Sequence, residues 1–129
     1  MKRSLFTTAT ALLFCLSLAS AALAYTEAEL DFLFQYGEYQ RHIGTPDYLA
    51  DISAKGNLEV AHTTCLNLDN GIDQQETQIQ YNARIASWYP TDTSSTQENN
   101  GNRLLQIAER SNVREAIRLA PYTICPQHR

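Results

Sequence analysis

The 129-residue chain lacks the patterns on which several classes of function depend. It has only 5 glycines, none of them in a Gly-rich phosphate-binding loop, and it has no internal repeat. No stretch alternates apolar and polar residues over a useful length, so β-strands are not predicted. Basic residues are also scarce, since 10 Lys and Arg stand against 14 Asp and Glu, and the net charge of −4 argues against nucleic acid as a partner. The absence of strand patterns favours an all-α protein.

Residues 1–24 have the composition of a signal peptide. Two basic residues precede an apolar run, Leu5–Ala19, and small residues follow it, so we predict cleavage before Tyr25. The longer segment Ser4–Ala24 has roughly 20 residues, which is about enough to span a bilayer, so its retention as a membrane anchor is the alternative. No later segment is apolar enough to span a membrane. We therefore predict a single exported domain, periplasmic or extracellular, over residues 25–129.

The cysteines allow three interpretations. Cys15 would leave with the signal peptide, and the two remaining thiols, Cys65 and Cys125, usually pair in an oxidising compartment. Histidines lie at matched distances from both, in His62-x-x-Cys65 and Cys125-x-x-His128, so a tetrahedral zinc site is an alternative. A thiol nucleophile activated by His62 is the enzymatic alternative. We predict the disulfide, because export favours oxidation, and a bonded pair would leave neither thiolate free for zinc or for nucleophilic attack.

Apolar residues at helical spacing, together with capping residues at Thr26 and Asp73 that each have a Glu three positions later, predict an all-α bundle of about five helices held by one disulfide. The predicted segments are Glu27–Arg41, Pro46–Lys55, Asn57–Gly71, Gln74–Tyr89, Arg103–Glu109 and a last helix after Ser111. Gly56 and Gly71 are expected to end helices, and Pro121 to close or kink the last one. Thr91–Gly101 has no periodic apolar residues, so we expect an exposed loop there.

The same spacing predicts which side chains form the core. On the central helix, one face carries Ala61 and Cys65 together with Leu58 and Leu68. The other residues expected to face inward are Leu30, Leu33, Phe34, Tyr36, Tyr48, Leu49, Ile52, Ile79, Ala83 and Ala86. An aromatic face formed by Phe32, Phe34, Tyr36 and Tyr39 also raises the hypothesis of a small lipid-binding domain, which would require a cavity.

Four arginines, Arg103, Arg110, Arg114 and Arg118, are separated by seven, four and four residues. They form one stripe if the helix is continuous, and such a stripe can bind anionic lipid or an acidic partner. The simpler interpretation is that these arginines are solvated or pair with acidic residues of the same chain. The stripe is nevertheless the candidate partner-binding site.

The sequence around Cys65 resembles the first motif of the Domain of Unknown Function 732 family. That motif reads Gly, three residues, Cys, two residues, Leu, two residues, Gly. Cys65, Leu68 and Gly71 match it, and Ala61 replaces the first Gly.

The family's second motif is an Ala-rich helical segment that ends in Tyr-Cys-Pro. Ala116–Pro126 resembles it, with Ile124 where Tyr is usual. The resemblance implies a small exported bacterial protein of helical fold with its two cysteines bonded, and it implies no activity. We therefore expect a non-enzymatic binding or interaction module of the cell envelope, with no cofactor and with an unknown protein or envelope component as partner.

Overall fold

The computed structural model of the chain describes residues 24–129, so the predicted signal peptide, apart from Ala24, lies outside the described residues. Within the described part the chain forms four α-helices and one short 3₁₀ turn, without strands. They are α1 (Glu27–His42), α2 (Asp47–Asp69), α3 (Gln74–Trp88), α4 (Thr96–Thr123) and the 3₁₀ turn Pro126–His128. The predicted all-α fold is confirmed for this part, but four helices replace the expected five.

Short polar side chains begin three of these helices. The Thr26 hydroxyl accepts a hydrogen bond from the Glu29 amide, and the Glu29 carboxylate accepts one from the Thr26 amide, as the sequence predicts. The side chains of Asp73 and Ser95 accept hydrogen bonds from the Glu76 and Glu98 amides and so cap α3 and α4, without the reciprocal bond. These caps satisfy amide groups that the first turn of a helix leaves without partners.

The break expected at Gly56 is wrong, because α2 passes through it as one helix. A glycine inside a helix costs on the order of 1 kcal/mol relative to alanine, but it does not interrupt the hydrogen bonds. The side chain of Asn57 donates to the Ser53 carbonyl oxygen at 3.0 Å instead of capping a new helix. The expected stop at Gly71 is confirmed, since α2 ends at Asp69 and Gly71 has a φ of 77°.

The continuity of α2 also explains why Tyr48, Leu49 and Ile52 are exposed instead of buried. The buried stripe of the helix runs through Ala61 and Cys65. Extended backwards at helical spacing, that stripe reaches Ala54 and Ala50, which are buried in place of the three larger residues. The second half of α2 therefore determines which face of the first half is covered.

The expected loop at Thr91–Gly101 is only half correct, because α4 begins at Thr96 and continues to Thr123. Pro121 lies inside its last turn and cannot donate a hydrogen bond to the Ile117 carbonyl. The Gln74 side chain donates to that carbonyl oxygen instead, at 2.7 Å. A side chain from α3 thus compensates for the proline, and the helix continues past it.

The core lies where α1, α3 and α4 pack around the second half of α2. The residues that form it include Phe32, Tyr36, Ala61, Ile85 and Ile117. The Cys65–Cys125 disulfide joins α2 to the segment after α4, with 5.8 Å between the two Cα atoms, and this prediction is confirmed.

Some predicted faces are shifted around the helix axis. Phe34 and Leu30 of α1 are exposed while Phe32 is buried. On α3, Ile79 and Ala83 are exposed while Tyr81 and Ile85 are buried. Both helices carry apolar residues on more than one face, so spacing alone does not identify the covered face.

Candidate functional site

The cysteines and histidines of the predicted cluster all make contacts that stabilise the fold. Cys65 and Cys125 are bonded to each other, so a zinc or thiol site built on them has no free sulfur in this structure. His62 Nε2 lies 2.8 Å from Glu29 Oε1, and His128 Nε2 lies 2.5 Å from Asp69 Oδ1. Among residues 24–129, no group of three or more His, Cys, Asp and Glu side chains could hold a metal ion.

The first of these pairs joins α1 to α2. Hydrogen bonding to the Thr26 amide, and then to His62, holds the pKa of Glu29 below its ordinary value. The carboxylate is therefore ionised over a wide pH range and serves as both a helix cap and an acceptor for the histidine. This arrangement stabilises the fold and contains no third group that would orient a catalytic base.

The four arginines all lie on α4, which is continuous over the whole stripe. The Arg110 side chain lies along the helix and donates a hydrogen bond to Gln106 Oε1 at 2.9 Å. Arg118 makes a double contact with Glu115, with Nε donating to Oε2 at 2.9 Å, and this contact raises the pKa of Arg118. These two arginines are engaged within the helix.

Arg103 and Arg114 are exposed, and neither has a carboxylate within ion-pair distance among the described residues. Leu104 and Ile107 lie on the same side of α4, and they are 70% and 62% exposed. These four residues share one helical arc that points away from the core. We call Arg103, Leu104, Ile107 and Arg114 the outer face of α4.

A slot of about 320 Å³ adjoins this outer face, between α3 and α4. Ile79 and Ile117 line it together with the side chains of Arg114 and Arg118. The Gln78 Oε1 atom in the same slot is buried and has no hydrogen-bond partner within the described part of the chain. The outer face therefore continues into a concave, partly apolar surface beside its cations.

A larger groove, of about 500 Å³, lies between the first half of α2 and the middle of α4. Its apolar residues are Leu49, Ile52, Val60, Tyr81, Trp88 and Val113, and its other lining residues are Gln40, Thr45, Ser53, Gly56, Asn57, Glu109 and Asn112. Four separate segments of the chain meet here. Sequence reasoning missed this groove, because no single segment carries its pattern.

The polar residues at the base of the groove are hydrogen-bonded to one another. The Tyr36 hydroxyl donates to the Asn112 carbonyl oxygen at 3.2 Å, and Gln40 Nε2 donates to Asn112 Oδ1 at 2.9 Å. The Thr45 hydroxyl donates to Gln40 Oε1 at 2.9 Å. Burial raises the pKa of Tyr36 to about 12, so its hydroxyl stays protonated. This network fixes the base of the groove.

Glu109 differs from these residues. It lines the groove, half-buried on α4, and it makes no hydrogen bond or ion pair with any other described residue. Because Asn112 and Val113 follow it by three and four residues, all three share one face of the helix. The groove thus contains one carboxylate whose charge no neighbour balances.

No family model, curated protein or solved structure matches the chain. The resemblance to the Domain of Unknown Function 732 family therefore rests on its two cysteine motifs alone. Within the described part of the chain, every helix is too short or too polar to cross a bilayer.

Proposed function

We propose that this chain is an exported, non-enzymatic binding domain of the cell envelope, related to the Domain of Unknown Function 732 proteins, and that the outer face of α4 contacts an anionic lipid surface. The observation that carries the proposal is the position of Arg103 and Arg114. Both guanidinium groups are exposed without an ion-pair partner among the described residues, beside two exposed aliphatic side chains. Helices with this combination bind at the boundary between lipid headgroups and acyl chains.

The apolar residues favour lipid over a purely acidic partner. Leu104 and Ile107 gain by leaving water, at roughly 1.5 kcal/mol or more for each side chain. A basic side chain near an anionic membrane contributes about 1 kcal/mol. The whole contact is therefore worth on the order of 5 kcal/mol before the cost of association, so we expect weak binding that depends on salt.

Sedimentation with vesicles tests this proposal. Wild-type protein is expected to bind vesicles that contain phosphatidylglycerol at low salt, and not vesicles of pure phosphatidylcholine. The Arg103→Glu/Arg114→Glu variant is expected to lose binding at least tenfold. The matched control is Lys55→Glu/Arg84→Glu, which changes the net charge equally at exposed positions outside the outer face.

Three results would reject the outer face as the site. They are no binding by wild type at low salt, unchanged binding by the Arg103→Glu/Arg114→Glu variant, and an equal loss in the Lys55→Glu/Arg84→Glu control. The last would mean that net charge alone governs the contact. Leu104→Ser/Ile107→Ser separates the apolar part, since it leaves the charges intact.

The zinc- or thiol-dependent function remains the alternative hypothesis, and it requires reduced cysteines. The intact mass of the exported, unreduced protein distinguishes the two. A mass about two daltons below the dithiol value corresponds to the hydrogens lost when Cys65 and Cys125 pair. A dithiol mass with zinc retained under native conditions would instead favour the metal-binding alternative.

A further inference from the structure

We infer that the groove between α2 and α4 binds a small organic cation with an apolar tail, whose ammonium group lies beside Glu109 and whose tail lies against Leu49, Ile52 and Trp88. This site is separate from the outer face of α4. It shares no lining residue with that face, and the inference stands whether or not the protein binds membranes.

The apolar part of the inference rests on exposure and size. Ile52 and Trp88 are 62% and 60% exposed, although both are large and apolar, and Leu49 beside them is also exposed. Exposed apolar side chains that line one concave surface mark binding sites more often than single scattered ones do. The volume of about 500 Å³ lies within the range of small-molecule pockets.

The charge of the ligand follows from Glu109. Tyr36, Gln40 and Asn112 already satisfy one another at the base of the groove, so they do not demand a ligand. Glu109 has no such partner within the described part of the chain, and it lines the same groove as the exposed apolar side chains. An ammonium group beside it would form an ion pair. An anionic ligand would be repelled.

Substitution of Gly56 by a larger apolar residue can fill the groove without altering its charge. It lies in the interior of α2 and lines the groove, and a Cβ atom at this position would meet no other atom within 4 Å. A larger residue therefore fits the helix, and leucine is a better helix former than glycine. Gly56→Leu should place its side chain in the space that a ligand tail would occupy.

Trp88 is the only tryptophan in the sequence, so its fluorescence reports directly on this groove. The probes are hexyltrimethylammonium, hexanol and hexanoate, titrated separately at one ionic strength. We expect a saturable change with the cation, at least tenfold weaker binding of the alcohol, and no binding of the carboxylate. NMR shifts of the Ile52 and Val113 methyl groups provide a second measurement.

Two variants with the same net charge test the role of Glu109. Glu109→Gln should bind the cation and the alcohol with similar affinity, because it keeps the shape of the groove and removes the charge. Glu59→Gln removes an exposed carboxylate of α2 that does not line the groove, and it should bind like wild type. Gly56→Leu should lose binding of both probes at least tenfold while keeping the helical circular dichroism spectrum.

The inference would be overturned by equal affinity of wild type for all three probes, or by no saturable change in either fluorescence or methyl shifts. An equal loss in Glu59→Gln would also overturn it, because general charge attraction would then explain binding. None of these results bears on the vesicle experiment, which depends on other residues.

Discussion

Removing the Cys65–Cys125 disulfide should destabilise the protein strongly, and mainly through its unfolded state. The bond joins residues 60 positions apart, so it excludes many extended conformations from the unfolded chain. For a loop of this length, the chain-entropy relation gives about 4 kcal/mol at 25 °C. A domain of this size has a free energy of unfolding of roughly 5 to 15 kcal/mol. The disulfide therefore accounts for a large part of the stability.

The assay is urea unfolding at 25 °C, followed by circular dichroism, for three samples. They are the oxidised protein, the same protein with a phosphine reductant, and the Cys65→Ala/Cys125→Ala variant. With a slope of about 1.5 kcal/mol per molar urea, a loss of 4 kcal/mol lowers the midpoint by roughly 2 to 3 M. The slope itself should increase on reduction, because the reduced unfolded chain exposes more surface.

A change in the free energy of unfolding below about 1 kcal/mol would refute this reasoning, because it would mean that the unfolded chain is already compact without the crosslink. The alanine variant serves as the check on reduction. Both sulfurs are buried, so the variant also loses a little packing and should be slightly less stable than the reduced protein.

Two further predictions concern hydrogen bonds between helices. Because burial raises the pKa of Tyr36 to about 12, its contribution to stability is complete below pH 10, the ordinary tyrosine value, and is lost as the pH rises through 12. The loss in the free energy of unfolding should reach about 2 to 3 kcal/mol. In Tyr36→Phe, the free energy of unfolding should therefore depend less on pH above 10 than it does in the wild type. Gln74→Ala should lower the free energy of unfolding by about 1 to 2 kcal/mol, because it leaves the Ile117 carbonyl without a donor. Gln75→Ala, at the exposed neighbouring position, should change it by less than about 0.5 kcal/mol, and equal losses in the two variants would contradict this explanation.

The local features of the fold could be predicted from the sequence, because they depend on neighbouring residues. The caps at Thr26 and Asp73 each involve a short polar side chain and an amide three residues later. The disulfide could be predicted because only two cysteines remain outside the predicted signal peptide.

The continuity of α2 and α4 could not be predicted in the same way. Gly56 is compatible with both a helix end and a helix interior, and only packing along the second half of α2 decides between them. The first turns of α4 contain no apolar pattern. Asn102 and Gln106 instead donate to the carbonyl oxygens of Pro90 and Tyr89, at 2.7 Å in each case, and these contacts join the helix to the preceding segment.

The two candidate sites also differ in how far the sequence could predict them. The arginine stripe was visible in the spacing of one segment, although the sequence did not show that Arg110 and Arg118 are engaged locally. The groove depends on α1, α2, α3 and α4 together, so no local signal marks Glu109 as unpaired. Tertiary structure alone identifies it.

The contacts that hold the two ends of the described chain all lie at the same end of α2. Glu29 near the start of α1, and Cys125 and His128 after α4, all contact the second half of α2. The groove lies along residues 49–60 of α2, and Ile52 within it is about 20 Å from Cys65 along the helix axis. A label, tag or support attached at the C-terminus would therefore be held at the far end from the groove. Protein immobilised in this way would present the groove to solution with all three of these contacts intact.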